Sequence, residues 1–278
     1  MQRFEGQTFD EERALYGLDG AMVVSCLFDG PEDGESALKE CKDVNVKSSK
    51  FNLRYPFWHD NGVVIKSCDM TENCRAALWY SKDIDISESK LNGIKALREC
   101  MDIKIENCDI QSVEFGWFNE NVHLWHSNLE GEYVLMRSKN VNLKHVKMKG
   151  KYSFQYIENA TITNCNLDTK DAFWHAKNVL IKDCLVKGEY LGWYCENVTF
   201  ENCTIIGTQP LCYCKGLKLI NCEMKNCDLA FEKSDVDAVI TSKVDSIKNP
   251  LSGVIRVLDV GEIIRDDPNS KGEIIFVG

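Results

Sequence analysis

Much that would divide or tether a chain is scarce here. Across 278 residues there are only 5 prolines, no Gly/Ser-rich stretch and no long run of one charge, so composition marks no linker and no domain boundary. No uninterrupted apolar run approaches the roughly 20 residues that a membrane-spanning helix needs. The opening segment, MQRFEGQTFDEERALYG, has neither a basic start leading into an apolar stretch nor a small-residue cleavage site. Export by an ordinary signal peptide is therefore not expected, and a cytoplasmic location is. Positive charge is also in deficit: 33 Lys and Arg face 43 Asp and Glu, a formal net charge of -10. That balance disfavours nucleic acid and anionic membrane as partners, since both want clustered cations.

What is abundant is repetition. Ile84, Ile103, Val122, Val141, Ala160, Val179, Val198, Leu217 and Val236 follow one another at intervals of 19 residues, and most open the phrase apolar-x-apolar-x-x-Cys/Ser-x-apolar. A fixed period of this size marks a solenoid, whose units bury their apolar faces only by stacking on neighbours. Earlier starts at Ala21, Val44 and Val63, with spacings of 23, 19 and 21 leading into the strict run, bring the total to twelve.

Columns read across the units define the coil. The starts and the residues two places on are apolar in all twelve units, from Ala21 and Val23 to Val236 and Ala238. This period of two, with β-branched enrichment, argues for a strand. After a short bend, a compact residue and a larger apolar one, as in Cys108 and Ile110, define a second strand. Only Gly, Asn or Asp precedes each start. Those residues tolerate left-handed angles, so every unit is expected to turn a corner there, with stacked Asn side chains hydrogen-bonding along the column. A third segment, such as Tyr55 to His59, completes the coil. The expected fold is all-β: a single parallel β-helix domain over 1–278, with about twelve coils of three short strands over 21–243 and caps at 1–20 and 244–278.

The phrase Asn-Val-x-Phe-x-Asn-Cys-x-Ile, written from Asn197 to Ile205, resembles the repeats of right-handed β-helix proteins of the pectin-lyase-like class, which implies that hand. Over nearly its whole length the chain is similar to an uncharacterised bacterial family, domain of unknown function 3737. The stretches carrying the likeness are EERALYG at 11–17, DGESALKE at 33–40, RYPFWH at 54–59, CRAALWYSK at 74–82 and GTQPLCYC at 207–214. The resemblance implies a fold and supplies no catalytic residues.

Five of the six tryptophans, Trp58, Trp79, Trp117, Trp174 and Trp193, share one position of the repeat, in a column that also holds Arg98. His59, Tyr80, Glu99, Phe118, Arg137, Tyr156, His175, Tyr194 and Tyr213 fill the next position. The residue before the tryptophan column is never polar, from Phe57 to Ala230, which points it inward and the tryptophans outward. The opposing reading packs the tryptophans inside, where large aromatics normally sit.

An exposed ladder forms a strip suited to the apolar faces and hydroxyl edges of sugars. The expected role is to bind, and to process, an oligosaccharide or other sugar-containing ligand, through Trp58, His59, Trp79, Tyr80, Arg98, Trp117, Trp174, Trp193 and Tyr194. A non-catalytic protein-interaction or structural scaffold, whose strip is buried in a homo-oligomer, is the competing reading. Catalytic candidates are Glu99 and Glu114 on successive coils, as paired carboxylates for glycosidic hydrolysis. Arg137, Tyr156 and His175 in one column, with Asp171 on the strand of His175, offer proton abstraction beside a cation. Surface acids of a net-negative protein account for Glu99 and Glu114 equally well.

The 14 cysteines are expected to be reduced, since a repeat protein of this length has ample core without staples. One thiol column, including Cys108 and Cys222, accepts Ser49, Ser89, Ser127 and Val146, so it asks for a compact residue rather than a thiolate. Cys212, Cys214, Cys222 and Cys227 map to different sides of the coil, and no metal or cofactor is expected. His59, His123, His126, His145 and His175 show no ligand pair, and no phosphate-binding Gly loop or nucleophile elbow occurs.

Overall fold

A computed structural model describes residues 1–30, 32 and 34–277. Asp33, which opens the 33–40 stretch, lies outside the described residues. The fold is an all-β parallel β-solenoid of about 14 turns, with no helix among the described residues. It divides into two compact units, Met1–Asn142 and Leu143–Gly278.

In the first unit, parallel strands run from Gln2–Glu5 through Asp19–Val24, Lys42–Lys47, Asn61–Lys66, Lys82–Ser87 and Met101–Glu106 to Glu120–Trp125. The register pairs Ala21 with Val44, Val44 with Val63, Val63 with Ile84, Ile84 with Ile103 and Ile103 with Val122, so the repeat starts form one buried row. In-register stacking puts like on like, and the burial of each β-branched row is worth about 1.5–3 kcal/mol per side chain. Phe9, Phe28 and Phe51 continue the pattern inside the coil, with ring centres 5.0 and 4.7 Å apart. Residues 2–9 extend the coil series instead of breaking it. Gln2 pairs with Ala21, and Thr8–Phe9 pairs with Leu27–Asp29.

The second unit repeats the scheme through Glu158–Thr163, Lys177–Lys182, Glu196–Glu201, Leu217–Lys225 and Val236–Lys248. Ala160 pairs with Val179 and Val179 with Val198. Beyond residue 243 the coils also continue. Val236–Lys248 pairs with Val254–Ile264 as far as Lys248 and Ile264, and Glu273–Phe276 adds a further rung.

The Gly/Asn/Asp corner is left-handed as the residue types require. Asp83, Asp102, Asn121, Asn178 and Asn197 have φ of 52°, 56°, 57°, 54° and 54°. Their side chains form the expected ladders: Asn121 donates to Asp102 at 2.7 Å in the first unit, and Asn178 to Asn159 at 3.1 Å in the second. A second left-handed corner follows the first strand, at Ser48, Glu88, Asn107 and His126, and at Asn164, Asp183 and Asn202. Just after it comes the thiol column, and its chemistry explains the exchange of Cys with Ser. Ser89 Oγ accepts from the Cys68 backbone N–H at 3.0 Å and donates to the Ser87 carbonyl at 2.7 Å. Cys108 Sγ likewise donates to the Glu106 carbonyl at 3.3 Å, while Ser127 Oγ accepts from the Cys108 N–H at 3.0 Å. A compact donor and acceptor closes a backbone gap at the corner, which either residue can do.

The third side of the coil takes two forms. Phe57–Trp58, Leu78–Trp79 and Leu97–Arg98 are short parallel strands forming a three-stranded sheet. From Gly116 onward the same position is a turn, with φ of 75° at Gly116, 61° at Phe154, 61° at Phe173, 68° at Gly192 and 62° at Leu211.

Candidate functional site

Both outward columns reach the surface, because the residue after each tryptophan is left-handed and breaks the strand alternation. His59, Tyr80, Glu99, Phe118, His175 and Tyr194 have φ between 52° and 60°. The residues before the tryptophans, Phe57, Leu78, Phe173 and Gly192, are buried, and the tryptophans themselves are half-buried.

In the first unit, Trp58 and Trp79 stack at 5.9 Å and 16°, and beside them His59 and Tyr80 stack at 5.0 Å and 21°. Lys39 Nζ stands 4.3 Å from the centre of the Trp58 ring. The next coil puts Arg98 and Glu99 where rings would continue the ladder. The Arg98 guanidinium carbon lies 5.7 Å from the Trp79 ring centre and 5.3 Å from that of Trp117, a cation between two indoles. Arg98 also holds both candidate carboxylates: its Nε is 3.4 Å from Glu99 Oε1 and its Nη1 3.8 Å from Glu114 Oε2. Lys95 Nζ closes on Glu114 at 3.3 Å. Glu99 and Glu114 are thus brought together, tied to cations. Arg137 is exposed in this unit, at a φ of 56°.

In the second unit the ladder is continuous. Tyr156 and His175 stack at 4.8 Å and 9°, His175 and Tyr194 at 5.1 Å and 9°, and Tyr194 and Tyr213 at 4.9 Å and 13°. Trp174 and Trp193 run alongside at 5.4 Å and 4°. Such spacing lies within the range in which aromatic pairs attract, and it leaves Tyr156 and Tyr194 exposed and His175 and Tyr213 half-buried. Tyr213 donates to Glu232 at 3.4 Å, and Glu232 pairs with Lys248 at 3.2 Å. Burial and the Glu232 charge both push the Tyr213 hydroxyl above its ordinary pKa. Asp171 is buried, and burial raises its carboxyl despite Lys170 nearby. Among the described residues no hydrogen bond joins Asp171 to His175, so that pair does not form a dyad.

The indoles also brace the coil. Trp117 Nε1 donates to the Tyr133 carbonyl at 2.6 Å, Trp174 Nε1 to Tyr190 at 2.7 Å and Trp193 Nε1 to Gln209 at 2.8 Å. Trp58 Nε1 and Trp79 Nε1 are buried without a partner.

Beneath the first-unit ladder runs an inner column of buried polar residues that includes Asp60, Ser81 and Asn119. Asp60 is 1% exposed; its Oδ1 accepts from the Cys41 N–H at 2.7 Å, while Oδ2 has no partner. Burial pushes its carboxyl up to about 8 against the opposing backbone hydrogen bond. All fourteen cysteines are free and buried. Burial raises Cys68 and Cys108 to about 11. Cys212, Cys214, Cys222 and Cys227 point their thiols at separate carbonyls, among them Pro210, Gly192, Phe200 and Ile205.

Phe118 and Tyr213 join the ring column of Tyr80 and Tyr194, and that shared column was the signal for them in the sequence. Lys95 was missed as the partner of Glu114, and Asp60 was missed because a single acid in an otherwise compact column carries no periodic signature.

A parallel β-solenoid with an outward ladder of rings and polar edges is the class that fold and surface define. The sequence matches the family described as "Protein of unknown function (DUF3737)" over residues 2–276, and the chain belongs to that family. Among solved structures it is similar to the mannuronan C-5 epimerase AlgE4 A-module of Azotobacter vinelandii, at 10% identity over 94% of this chain and 91% of that one, with a TM-score of 0.35. It is similar as well to the family 28 exopolygalacturonase of Yersinia enterocolitica, at 8% identity, 99% and 72% coverage and a TM-score of 0.32. The endo-xylogalacturonan hydrolase of Aspergillus tubingensis matches at 10% identity, 98% and 86% coverage and a TM-score of 0.27. Likeness at this level carries no argument about activity. No curated protein matches the sequence.

Proposed function

We propose that this protein is a carbohydrate-binding β-helix that engages a saccharide chain along the aromatic columns of its third side. The observation that carries the reading is the alignment of polar ring edges at coil spacing, Tyr156, His175, Tyr194 and Tyr213 in the second unit and His59 and Tyr80 in the first. A row of hydroxyl and imidazole groups offers both donors and acceptors to sugar hydroxyls, and the apolar ring bodies exclude water around them. Processing of the bound chain is not part of the proposal, because Glu99 and Glu114 are already engaged by Arg98 and Lys95.

One observation favours the scaffold reading instead. Each ring stacked within the ladder spends its faces on its neighbours, which is what a purely structural column would do. Titration of intrinsic tryptophan fluorescence with neutral and acidic oligosaccharides separates the two. A saturable change with at least one sugar supports binding, whereas a flat response across the panel together with a concentration-dependent dimer by sedimentation supports the scaffold.

A further inference from the structure

We propose that the interval between Tyr80 and Phe118 is a slot for one neutral pyranose ring, the primary subsite of the carbohydrate-binding surface. The inference rests on the reading of that surface given above and adds where, and how, a sugar is held.

Stacking along a β-helix column closes ring faces. His59 covers one face of Tyr80, at 5.0 Å. One coil further on the column holds Glu99, and one coil beyond that Phe118. The coil order is fixed by the pairing of Trp79 with Arg98 and of Arg98 with Trp117. Tyr80 and Phe118 are therefore two rungs apart, about 9.6 Å at the usual strand spacing. A ring inserted between two others needs about 3.5–4 Å on each side, which this interval provides. The second-unit stack of Tyr156, His175, Tyr194 and Tyr213 has a ring at every rung and no such interval.

The space is present. A surface groove of about 530 Å³ is lined by Tyr80, Arg98, Glu99, Phe118 and Glu120 among others, and Tyr80 and Phe118 remain 43% and 45% exposed. Glu99, the residue between them, turns to Arg98 at 3.4 Å.

Charge selects the occupant. The site already contains its own cation, with the Arg98 guanidinium carbon 5.9 Å from the Phe118 ring centre. Glu99 and Glu120 line the groove, and Glu114 reaches Arg98 from behind. Surplus carboxylate disfavours an acidic sugar, and Arg98 holds the position a ligand cation would take. A neutral pyranose places its apolar C–H face on a ring and gives hydroxyl protons to Glu99 and Glu120 while accepting from Arg98.

The test uses the full chain with cellohexaose, xylohexaose and maltohexaose as neutral probes and oligogalacturonate as the acidic comparator, read by calorimetry. Tyr80→Ala and Phe118→Ala, checked for fold by circular dichroism, are expected to weaken neutral-sugar binding at least tenfold. Tyr80→Phe, which keeps the face and loses the hydroxyl, is expected to weaken binding less than Tyr80→Ala. Ile220→Ala, at an exposed apolar residue on the strand Leu217–Lys225 outside both aromatic columns, is expected to stay within about twofold of the parent. If a neutral sugar binds and Tyr80→Ala and Phe118→Ala leave its affinity unchanged, the slot is overturned while the binding surface stands. Preference for oligogalacturonate overturns the charge argument. If none of the four sugars binds the parent protein, the underlying reading falls with it.

Discussion

The third side of the coil is built in two ways within one chain, and the contrast between them explains what its surface can do. At Phe57–Trp58 and Leu78–Trp79 the residue before the tryptophan is extended and pairs with its neighbours, and the indole N–H is left without a partner. At Phe173-Trp174 and Gly192-Trp193 the preceding residue is left-handed, at 61° and 68°, and the indole donates to a carbonyl sixteen residues on. Gly116 and Trp117 follow the second rule, and even Gln155, after the left-handed Phe154, sends its amide to the Asp171 carbonyl sixteen residues on. The left-handed form thus couples a turned backbone, strained at Phe154 and Phe173 and relaxed at the glycines, to a satisfied side chain. The extended form relaxes the backbone and leaves a polar atom unmet.

The largest effect is expected from Phe57→Gly and Phe173→Gly, both fully buried. Loss of the ring costs roughly 4 kcal/mol at Phe57, where glycine also weakens a strand, and about 1–2 kcal/mol less at Phe173, where glycine relieves a φ of 61°. Denaturant unfolding of the pair measures the gap, and equal losses would mean that the left-handed turn carries no strain.

Next in size is Asp60→Asn. Asn119 occupies the same inner column and accepts from the Cys100 N–H through its amide oxygen at 2.8 Å, with its Nδ2 buried and unpaired, so an amide fits the position at the cost of one unmet donor. Asp60 has its carboxyl raised by burial to about 8, against an ordinary value near 4, so the folded state holds a proton that the unfolded state has released. Its contribution is complete below about pH 4 and is lost as pH rises towards 8. A rise of this size corresponds to roughly 5 kcal/mol, and with the unmet amide donor set against it the variant should be more stable than the parent at pH 8 by on the order of 3 kcal/mol, an advantage that is lost towards pH 4. A pH-independent difference would show that Asp60 does not titrate as its burial requires.

Smaller again is the indole pair. Trp193→Phe removes a donor from the Gln209 carbonyl and should cost about 1 kcal/mol beyond the lost area. Trp58→Phe removes an unmet donor and should be neutral or slightly stabilising, again by chemical denaturation. The thiols should not distinguish the regions at all. All 14 cysteines are buried, so Ellman's reagent at pH 8 should label none of them in the folded protein and all of them in denaturant.

The asymmetry between the two forms of the third side also marks the limit of what the residues announce. The corner before each repeat start was legible because only Gly, Asn and Asp occupy it, and a left-handed backbone restricts residue type there. The second corner was not, since Ser48, Glu88 and His126 all adopt it with hydrogen-bonded coils on either side holding them in place. Nor does apolarity tell an extended Phe57 from a left-handed Phe173: both are fully buried, and the demand on composition is the same. The outward ladder could be read from its never-polar inner neighbour. The interval between Tyr80 and Phe118 could not, because it depends on Glu99 turning to Arg98, a choice among side-chain partners that no periodicity encodes.

Open ring faces, then, belong to the interrupted ladder of the first unit, and the continuous stack of the second presents edges. The most direct test is to label the indole nitrogens with ¹⁵N and titrate the protein with a neutral hexasaccharide that binds it. Saturable shifts that are largest at Trp79 and Trp117, with smaller ones at Trp174 and Trp193, are the predicted result. Shifts confined to Trp174 and Trp193 would contradict it.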